Sequence, residues 1–394
     1  MPRLLSLLLL ALSAPAQAQW AEADVVRAAS AQPEAALAAF AAANAEADAA
    51  GAGRLPDPNV SFERQQLFGD GAQSQDQLRV GWRLPLSGLR GAERQLARFE
   101  AHLAAWAAQE ERARAVSAAL DAFYEALAAS ERAETLRALG EVFDEAARRA
   151  EAEARAGERA TAEAQRLRLE AALVRATRVE AESLALRARA QLAAWLAVES
   201  VPELNGTVTP SEAPPDTTWE EVRERRVAAL DRALEAASRA RRHARRAAWP
   251  DLEVEAGWLH QRQIGGNGDG YVVAASLTLP IAERGQSARG RSEAAAQLES
   301  LARATELRVR TELDAATAER ALFATEHQSF ARAREEAERV LRAALARHAA
   351  GEASFVEIVD ARRLVVEVAD RALALALALR RADLRLRLAR GEWR

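Results

Sequence analysis

The sequence is written twice, and this internal duplication limits the folds open to the chain more than any other feature. Three pairs of dipeptides recur in the same order 194 residues apart: Pro56-Asp57 with Pro250-Asp251, Arg90-Gly91 with Arg284-Gly285, and Gly157-Glu158 with Gly351-Glu352. A fourth pair, Leu84-Pro85 with Leu279-Pro280, recurs after 195 residues. A repeat of this kind predicts two copies of one structural unit. We place the copies at residues 19–200 and 219–394, with the Pro-rich, non-periodic residues 201–218 as a linker.

Each repeat contains two short segments in which polar and apolar residues alternate. In the first repeat Leu78, Val80, Trp82 and Leu84 fall on one side, and the residues between them are mostly polar. Period-2 alternation bounded by Gly and Pro predicts β-hairpins, at residues 58–86 and 251–281. Each segment has about ten residues, near the ~9–11 residues of a tilted transmembrane strand.

The rest of each repeat has the composition and pattern of long helices. The chain is 49% hydrophobic with only 5% aromatic residues, and Ala, Leu, Arg and Glu dominate, which is typical of closely packed helices. We expect one leading helical segment before each hairpin, over about 20–50 and 219–247. After each hairpin we expect a long helix, a turn near residue 157 or 351, and a returning helix. Helices of this length favour coiled-coil-like packing.

The N-terminus predicts export. Arg3 precedes the apolar run of residues 4–12, and Ala16-Gln17-Ala18 offers a small-residue cleavage site, so we expect a signal peptide over residues 1–18. No later stretch approaches the ~18 uncharged apolar residues of a spanning helix. If the exported chain lies in a membrane, we therefore expect it there as β-strands.

Four strands cannot close a barrel, because small closed barrels begin at about eight strands. Open edges would remain exposed, so self-association is expected, and three copies would supply twelve strands. The stripes that carry Trp82, Trp258 and Tyr271 would then face lipid. The polar stripes would line a wet lumen: Ser61, Glu63, Arg79, Arg83, Glu253 and Glu255. The alternative is a soluble sheet that covers a helical bundle.

No residue pattern predicts catalysis. The five histidines are scattered, the chain has no Cys, and the nucleophile and phosphate-binding motifs of enzymes are absent. We therefore expect no catalytic residue, no metal and no cofactor. A net charge of −4 without a concentrated basic patch disfavours nucleic acid as a partner.

Several segments in order resemble the TolC-type family of outer-membrane efflux channel proteins, the outer component of tripartite efflux and type I secretion systems. The first half contributes "AQPEAALAAFAAANAEADAA", "LPDPNVSFE", "RLPLSGLRGAER" and "AFYEALAASERAE". The second contributes "WPDLEVEAGW", "LTLPIAERGQ" and "RHAAGEASFVEIVDARRLVVEVADR". The pattern Gly-x-x-Ser-x-x-x-x-x-Asp-Ala-Arg, from Gly351 to Arg362, is the most specific piece. The resemblance covers nearly the whole chain after residue 18.

The resemblance implies an α+β membrane protein. Long antiparallel helices would form an α-helical barrel, and the two β-hairpins of each chain would contribute to a trimeric 12-stranded transmembrane β-barrel. It implies a homotrimer in the outer membrane of a Gram-negative bacterium, spanning into the periplasm. Its partners would be outer-membrane lipid, a periplasmic adaptor (membrane fusion) protein and an inner-membrane transporter. The function implied is a passive exit duct of a tripartite efflux system, for small molecules or metal ions.

The resemblance also implies site residues at the periplasmic helix turns. Glycine suits such turns because it tolerates positive φ and close backbone approach. Carboxylates spaced by three share a helix face and would narrow the pore. The residues concerned are Gly157, Thr161, Gly351 and Ser354 for adaptor docking, and Glu357 and Asp360 for the constriction.

Two alternatives stay open from the residues. Glu357 and Asp360 could simply begin the last helix and complement its dipole. The chain could also be a periplasmic coiled-coil structural or adaptor protein without a pore. The cargo and the class of pump do not follow from the sequence.

Overall fold

A computed structural model describes most of the 394-residue chain. The described residues are 19–68, 73–85, 89–157, 160–201, 203–210, 215–244, 251–263, 266–278 and 286–393. The expected signal peptide of residues 1–18 lies outside them, as do the turns of both hairpins and Glu158.

The second half of the chain repeats the element order of the first. The first half contains α1 (Glu22–Ser30), α2 (Pro33–Gly51), β1 (Asn59–Leu67), β2 (Gln73–Pro85), α3 (Leu89–Arg155) and α4 (Thr161–Trp195). The second contains α5 (Trp219–Arg226), α6 (Ala228–Ala244), β3 (Asp251–Gln263), β4 (Gly266–Thr278), α7 (Gln286–Ala349) and α8 (Phe355–Arg390). Each half thus supplies two short helices, a hairpin and two long helices.

The leading segment of each half is two helices rather than the single helix expected from the sequence. Pro33 is the first residue of α2, a position where the missing N–H costs nothing and the fixed φ suits a helix. The second break is at Val227, whose N–H still bonds to the Arg223 carbonyl at 2.8 Å. This break is a slight interruption without a Pro or Gly.

The chain divides into two compact units. The first unit comprises the described residues of Met1–Ala36, Glu111–Thr218 and Thr311–Arg394. Its ion pairs show that the long helices run antiparallel. Arg137 pairs with Glu182 at 3.3 Å and Asp144 with Arg175 at 2.5 Å between α3 and α4. Between α7 and α8, Arg320 pairs with Asp383 at 3.1 Å and Arg347 with Glu357 at 3.3 Å.

The core of the first unit is rich in alanine, which lets helices approach closely. A cluster near the helix turns draws on all four long helices and includes Leu139, Phe143, Leu167, Val174 and Ile358. A second cluster joins α1 to α3, α4 and α8 through Val25, Phe123, Leu192 and Leu384, among others. Packing of small side chains over such lengths explains why helices with few aromatic residues form a stable core.

The N-terminal segment and the linker are tied to the first unit. Tyr124 donates to the Glu22 carboxylate at 2.6 Å, and Arg387 also binds Glu22. Arg380 donates to the carbonyls of Thr207, Val208 and Thr209 at 3.0–3.2 Å. The linker of residues 201–218 is therefore held by the core where it is described, and is not a free spacer.

The second unit comprises residues Leu37–Glu110 and Trp219–Arg310. Its four strands form one antiparallel sheet in the order β1-β2-β3-β4. The two hairpins lie side by side because β2 pairs with β3 along its whole length, from Gln73↔Gln263 to Pro85↔Asp251. The predicted combination of long antiparallel helices and two β-hairpins is confirmed.

A buried ion pair joins two helices of the second unit. Arg226 donates to both carboxylate oxygens of Glu110 at 3.0 and 3.2 Å, and the two side chains are only 8% and 9% exposed. Trp106 Nε1 donates to the Arg226 carbonyl at 3.1 Å. In α3, Gly91 leaves space for the His243 ring, since a Cβ there would lie 2.7 Å from His243 Nδ1 and the ring would have to shift.

No helix in the described part of the chain is both long and apolar enough to cross a membrane.

Candidate functional site

The four-stranded sheet presents two chemically different faces, and the strand register aligns them into rows. One face carries four successive apolar rows. They are Phe62, Leu78, Trp258 and Tyr271; then Val60, Val80, Ala256 and Val273; then Trp82, Val254 and Ala275; then Leu84, Leu252 and Leu277. The alternation predicted from the sequence therefore extends coherently across all four strands.

The apolar face is exposed. Most of its large side chains are exposed, from 36% at Val254 to 86% at Tyr271, while Leu84 and Leu252 in the fourth row are half-buried. Soluble monomers rarely leave a contiguous apolar surface of this extent open to water. Fully burying one such side chain is worth about 1.5–3 kcal/mol, so this face requires a covering apolar medium or partner.

The aromatic residues expected to face lipid all lie on this apolar face. Trp258 and Tyr271 are direct cross-strand partners in the apolar row that lies nearest the hairpin turns. Trp82 lies two rows further toward the helices, and its Nε1 donates to the Pro56 carbonyl at 2.9 Å. That hydrogen bond fits an indole at the boundary between an apolar and a polar environment.

A charged row ends the apolar face beside the hairpin turns. Arg64 pairs with Asp76 at 3.3 Å, and His260 Nδ1 lies 2.6 Å from Asp269. The rings of His260 and Trp258 stack with centroids 5.4 Å apart. The change from aromatic to charged residues between one row and the next marks a sharp edge of the apolar band.

The opposite face of the sheet is polar. Its described charged side chains are Glu63, Arg79, Arg83, Glu253 and Glu255, as the alternation predicts. Arg79 lies 3.9 Å from both Glu63 and Glu255. Toward β4 this face carries Val272, Ala274 and Ser276 instead, so its charge is concentrated on β1, β2 and β3.

The second helix turn, between α7 and α8, is held by hydrogen bonds within the chain. Gly351 has φ +78°, and the N–H of Glu352 bonds to the Arg347 carbonyl at 2.9 Å, the pattern of a glycine helix C-cap. His348 is buried, and its Nδ1 lies 2.9 Å from the carbonyl oxygen of Ala353. An imidazole that donates from Nδ1 satisfies this geometry.

Ser354 and Glu357 form a capping box at the start of α8. The Glu357 N–H donates to Ser354 Oγ at 3.4 Å, and the Ser354 N–H donates to Glu357 Oε1 at 3.2 Å. The other carboxylate oxygen of Glu357 lies 3.3 Å from Arg347. Both oxygens of Glu357 are thus used within the chain, as in the alternative in which this acid serves the helix start.

Asp360 differs from Glu357. It is exposed on α8, one turn further along, and no described residue forms an ion pair with it. Of the two acids expected at the constriction, Asp360 is the one whose carboxylate is available to a neighbour or an ion.

The first helix turn is described up to Gly157 and again from Ala160. Gly157 has φ +82°, and Thr161 is the first residue of α4, where Ala160 is the N-cap without a side-chain hydrogen bond. A Cβ at Gly157 or Gly351 would meet no described atom within 4 Å. The expected close backbone approach is therefore absent within the described chain, and positive φ alone explains both glycines.

A further surface feature was not predicted from the sequence. One side of α4 packs in the core through Leu167, Ala171 and Val174. The other side is exposed and apolar in steps of three and four residues, the spacing of a coiled-coil seam: Leu169, Ala172, Ala176, Val179, Ser183 and Leu186. Such heptad spacing was readable in the sequence as a second apolar face on one helix. On α7, exposed residues, most of them small, follow the same spacing: Ala315, Ala318, Leu322 and Thr325.

Among the described residues, no group of three or more His, Asp or Glu side chains is arranged to hold a metal ion.

A comparison with protein-family models gives no match, and the sequence matches no curated protein. Solved structures do match. CusC, described as forming a transmembrane channel, is 16% identical, with a TM-score of 0.75 over 94% of this chain and 92% of that chain. The outer-membrane protein VceC of Vibrio cholerae is 17% identical, with a TM-score of 0.71 over 94% and 96%. The MtrE outer-membrane channel of Neisseria gonorrhoeae, in its open state, is 16% identical, with a TM-score of 0.74 over 94% and 88%.

The chain has the fold of these three structures over nearly its whole length. The TolC-type fold expected from the sequence motifs is confirmed. Identities of 16–17% show the fold alone, so function, assembly and partners are argued below from this chain's own residues.

Proposed function

We propose that the protein is the outer-membrane channel of a tripartite efflux system. It would be a passive exit duct for small molecules or metal ions, which an inner-membrane pump passes on through a periplasmic adaptor. The observation that carries the proposal is the four-stranded sheet with an exposed apolar face, an oppositely placed polar face and two open edges. Such a sheet suits a wall between lipid and water.

The open edges support assembly into a homotrimer. Among the described residues, strands β1 and β4 each have a neighbour on one side only. An unpaired edge of nine or thirteen residues is a strong site for pairing with another chain. Three copies would join β1 of each chain to β4 of the next and close twelve strands. The exposed seam on α4 would pack against the exposed residues 315, 318, 322 and 325 of α7 in a neighbouring copy.

The charged row supports a membrane position for the sheet. Four apolar rows lie about 20 Å apart from first to last, at two residues per row and ~3.3 Å per residue along a strand. Aromatic side chains near the end of such a band fit the girdle of a membrane barrel. Arg64, Asp76, His260 and Asp269 would then lie at the level of the lipid headgroups on the outer side.

We place the pore constriction at Asp360, with Glu357 as its supporting residue. In a trimer the three Asp360 carboxylates would converge and disfavour anions. Glu357 would fix the start of α8 through Ser354 and Arg347. The adaptor would dock at the helix turns, on Gly157 and Thr161 of the first and on Gly351 and Ser354 of the second, where Val356 is also exposed.

Conductance in planar bilayers tests the channel and separates the two acids. Purified protein is expected to form pores. Asp360→Asn should raise conductance and weaken block by divalent cations, because it removes carboxylates from the constriction. Glu357→Gln should act mainly through the helix start and alter block much less.

Two results would contradict the proposal. Pores whose conductance and divalent block are unchanged in Asp360→Asn would remove that residue from the constriction. A protein that forms no pores and stays soluble without detergent would favour the alternative, a periplasmic coiled-coil structural or adaptor protein.

A further inference from the structure

The polar face of the sheet combines charged residues with glycines in a cross-strand pattern. Arg79 on β2 is opposite Gly257 on β3, and in the adjacent row Gly81 on β2 is opposite Glu255 on β3. Arg79 and Glu255 thus each have a glycine opposite them where β2 and β3 pair. This pattern leaves room for long side chains to lie along the sheet.

Contacts show that the Arg79 side chain uses this room. A Cβ on Gly257 would lie 2.9 Å from Arg79 Cγ, and a Cβ on Gly81 would lie 3.4 Å from Glu255 Cγ. Arg79 Nε donates to Gln77 Oε1 at 2.9 Å. Its terminal nitrogens lie 3.9 Å from Glu63 and from Glu255.

Burial gives an independent sign of the same arrangement. Gln77 is only 7% exposed, although it lies on the polar face of a single-layered sheet and its strand neighbours on that face are more open. The Arg79 side chain, 34% exposed, covers it. A guanidinium that projected away from the sheet would leave Gln77 open to solvent.

We propose that Arg79 is a specificity-determining residue of the channel, held flat on the wall by Gly257, Gln77 and the two carboxylates. In this position it does not narrow the passage, and its single positive charge is outweighed by Glu63 and Glu255. The described charged side chains of this face are three carboxylates and two guanidiniums. The wall therefore favours cations over anions. This inference rests on the proposed channel function.

The flat position is tested without any channel measurement. The chain contains no Cys, so single thiols can be introduced without background. Gln77→Cys lies beneath the Arg79 side chain, and Gln65→Cys is its exposed control on the same face. A charged methanethiosulfonate should modify Cys at 77 roughly tenfold more slowly than at 65, since reactivity follows exposure. Adding Arg79→Ala should remove most of the difference. Equal rates in the single variants would overturn the proposal.

Ion selectivity is tested by the reversal potential in a KCl gradient across a planar bilayer. Arg79→Met should shift it toward greater cation preference. Arg64→Met removes the same charge from the opposite face of the sheet and should leave it unchanged. Gly257→Ala should displace Arg79 from the wall and shift the potential toward anions, whereas Gly268→Ala, where a Cβ meets nothing within 4 Å, should not.

The outcomes are distinguishable. An unchanged reversal potential in Arg79→Met, in a protein that forms pores, would overturn the role of Arg79 in selectivity. A wild-type protein without pores would refute the proposed function, and the thiol experiment would still report where the Arg79 side chain lies. Because Gly257→Ala also brings a Cβ within 2.5 Å of the Leu78 carbonyl, its folding must be verified, but neither the Arg79→Met nor the thiol result depends on it.

Discussion

An arginine placed on either face of β4 tests whether the apolar face meets lipid. Ala274 and Ala275 are adjacent and both exposed, but they face opposite sides of the sheet: Ala275 shares a row with Trp82 and Val254, and Ala274 is opposite Glu255. The same substitution thus sends the guanidinium to the apolar face at 275 and to the polar face, opposite Glu255, at 274.

The expected difference is large. Ala275 lies in the third of four apolar rows, near the middle of the band. Arginine at the midplane of a membrane barrel costs about 2–4 kcal/mol, and a lumen-facing arginine does not meet that cost. At 1.4 kcal/mol per factor of ten, Ala275→Arg should reduce the folded-to-unfolded ratio about 30- to 700-fold relative to Ala274→Arg.

Urea titration of the protein folded into lipid vesicles, followed by tryptophan fluorescence, measures this difference. Ala275→Leu is the control for added volume and should fold as well as the wild type. Equal losses of unfolding free energy in Ala274→Arg and Ala275→Arg would refute the reasoning. A sheet with water or protein on both sides does not distinguish the two positions in this way.

Three further substitutions test the packing of the helices. Arg226→Ala removes the two charged hydrogen bonds that Arg226 makes to the buried Glu110 carboxylate and should cost about 3–5 kcal/mol of unfolding free energy, measured by denaturant titration. Gly351→Ala places a Cβ at positive φ and should cost about 1–2 kcal/mol, visible as faster amide hydrogen exchange at the second helix turn. Burial alone would raise the pKa of Glu22, but hydrogen bonds from Tyr124 and Arg387 outweigh it and lower the pKa. Glu22→Gln should therefore reduce thermal stability near pH 7, and the difference from wild type should shrink as pH falls below about 4.3.

The elements of the fold follow from local patterns in the sequence. Period-2 alternation marks the strands because successive side chains point to opposite faces of a sheet. Runs of Ala, Leu, Arg and Glu without Pro mark the long helices. The pairing of β2 with β3 is different, since it joins hairpins separated by a long helical hairpin and depends on tertiary packing that no local pattern encodes.

The start of α8 carries a sequence signal for its own local structure. Ser354 followed by Glu357 is the sequence signature of a capping box, and it assigns Glu357 to the helix start without any structure. The break at Pro33 was likewise readable, because Pro favours the first turn of a helix. The break at Val227 has no such signal, and the burial of Gln77 beneath Arg79 depends on side-chain contacts across strands.

The apolar seam on α4 is recognised only when the sequence pattern and the structure are taken together. Its heptad spacing is visible in the sequence, but the spacing alone does not say whether Leu169 and Val179 pack inside the chain. The structure shows that they are 65% and 58% exposed, and this exposure turns the pattern into a candidate interface between copies.

The mass of the purified protein in detergent, by light scattering with the detergent contribution subtracted, tests the central claim most directly. The account predicts recovery with the outer membrane and a mass of three chains, because each chain leaves two open sheet edges and an exposed apolar face. A monomer that is recovered from the periplasm and stays soluble without detergent would contradict it.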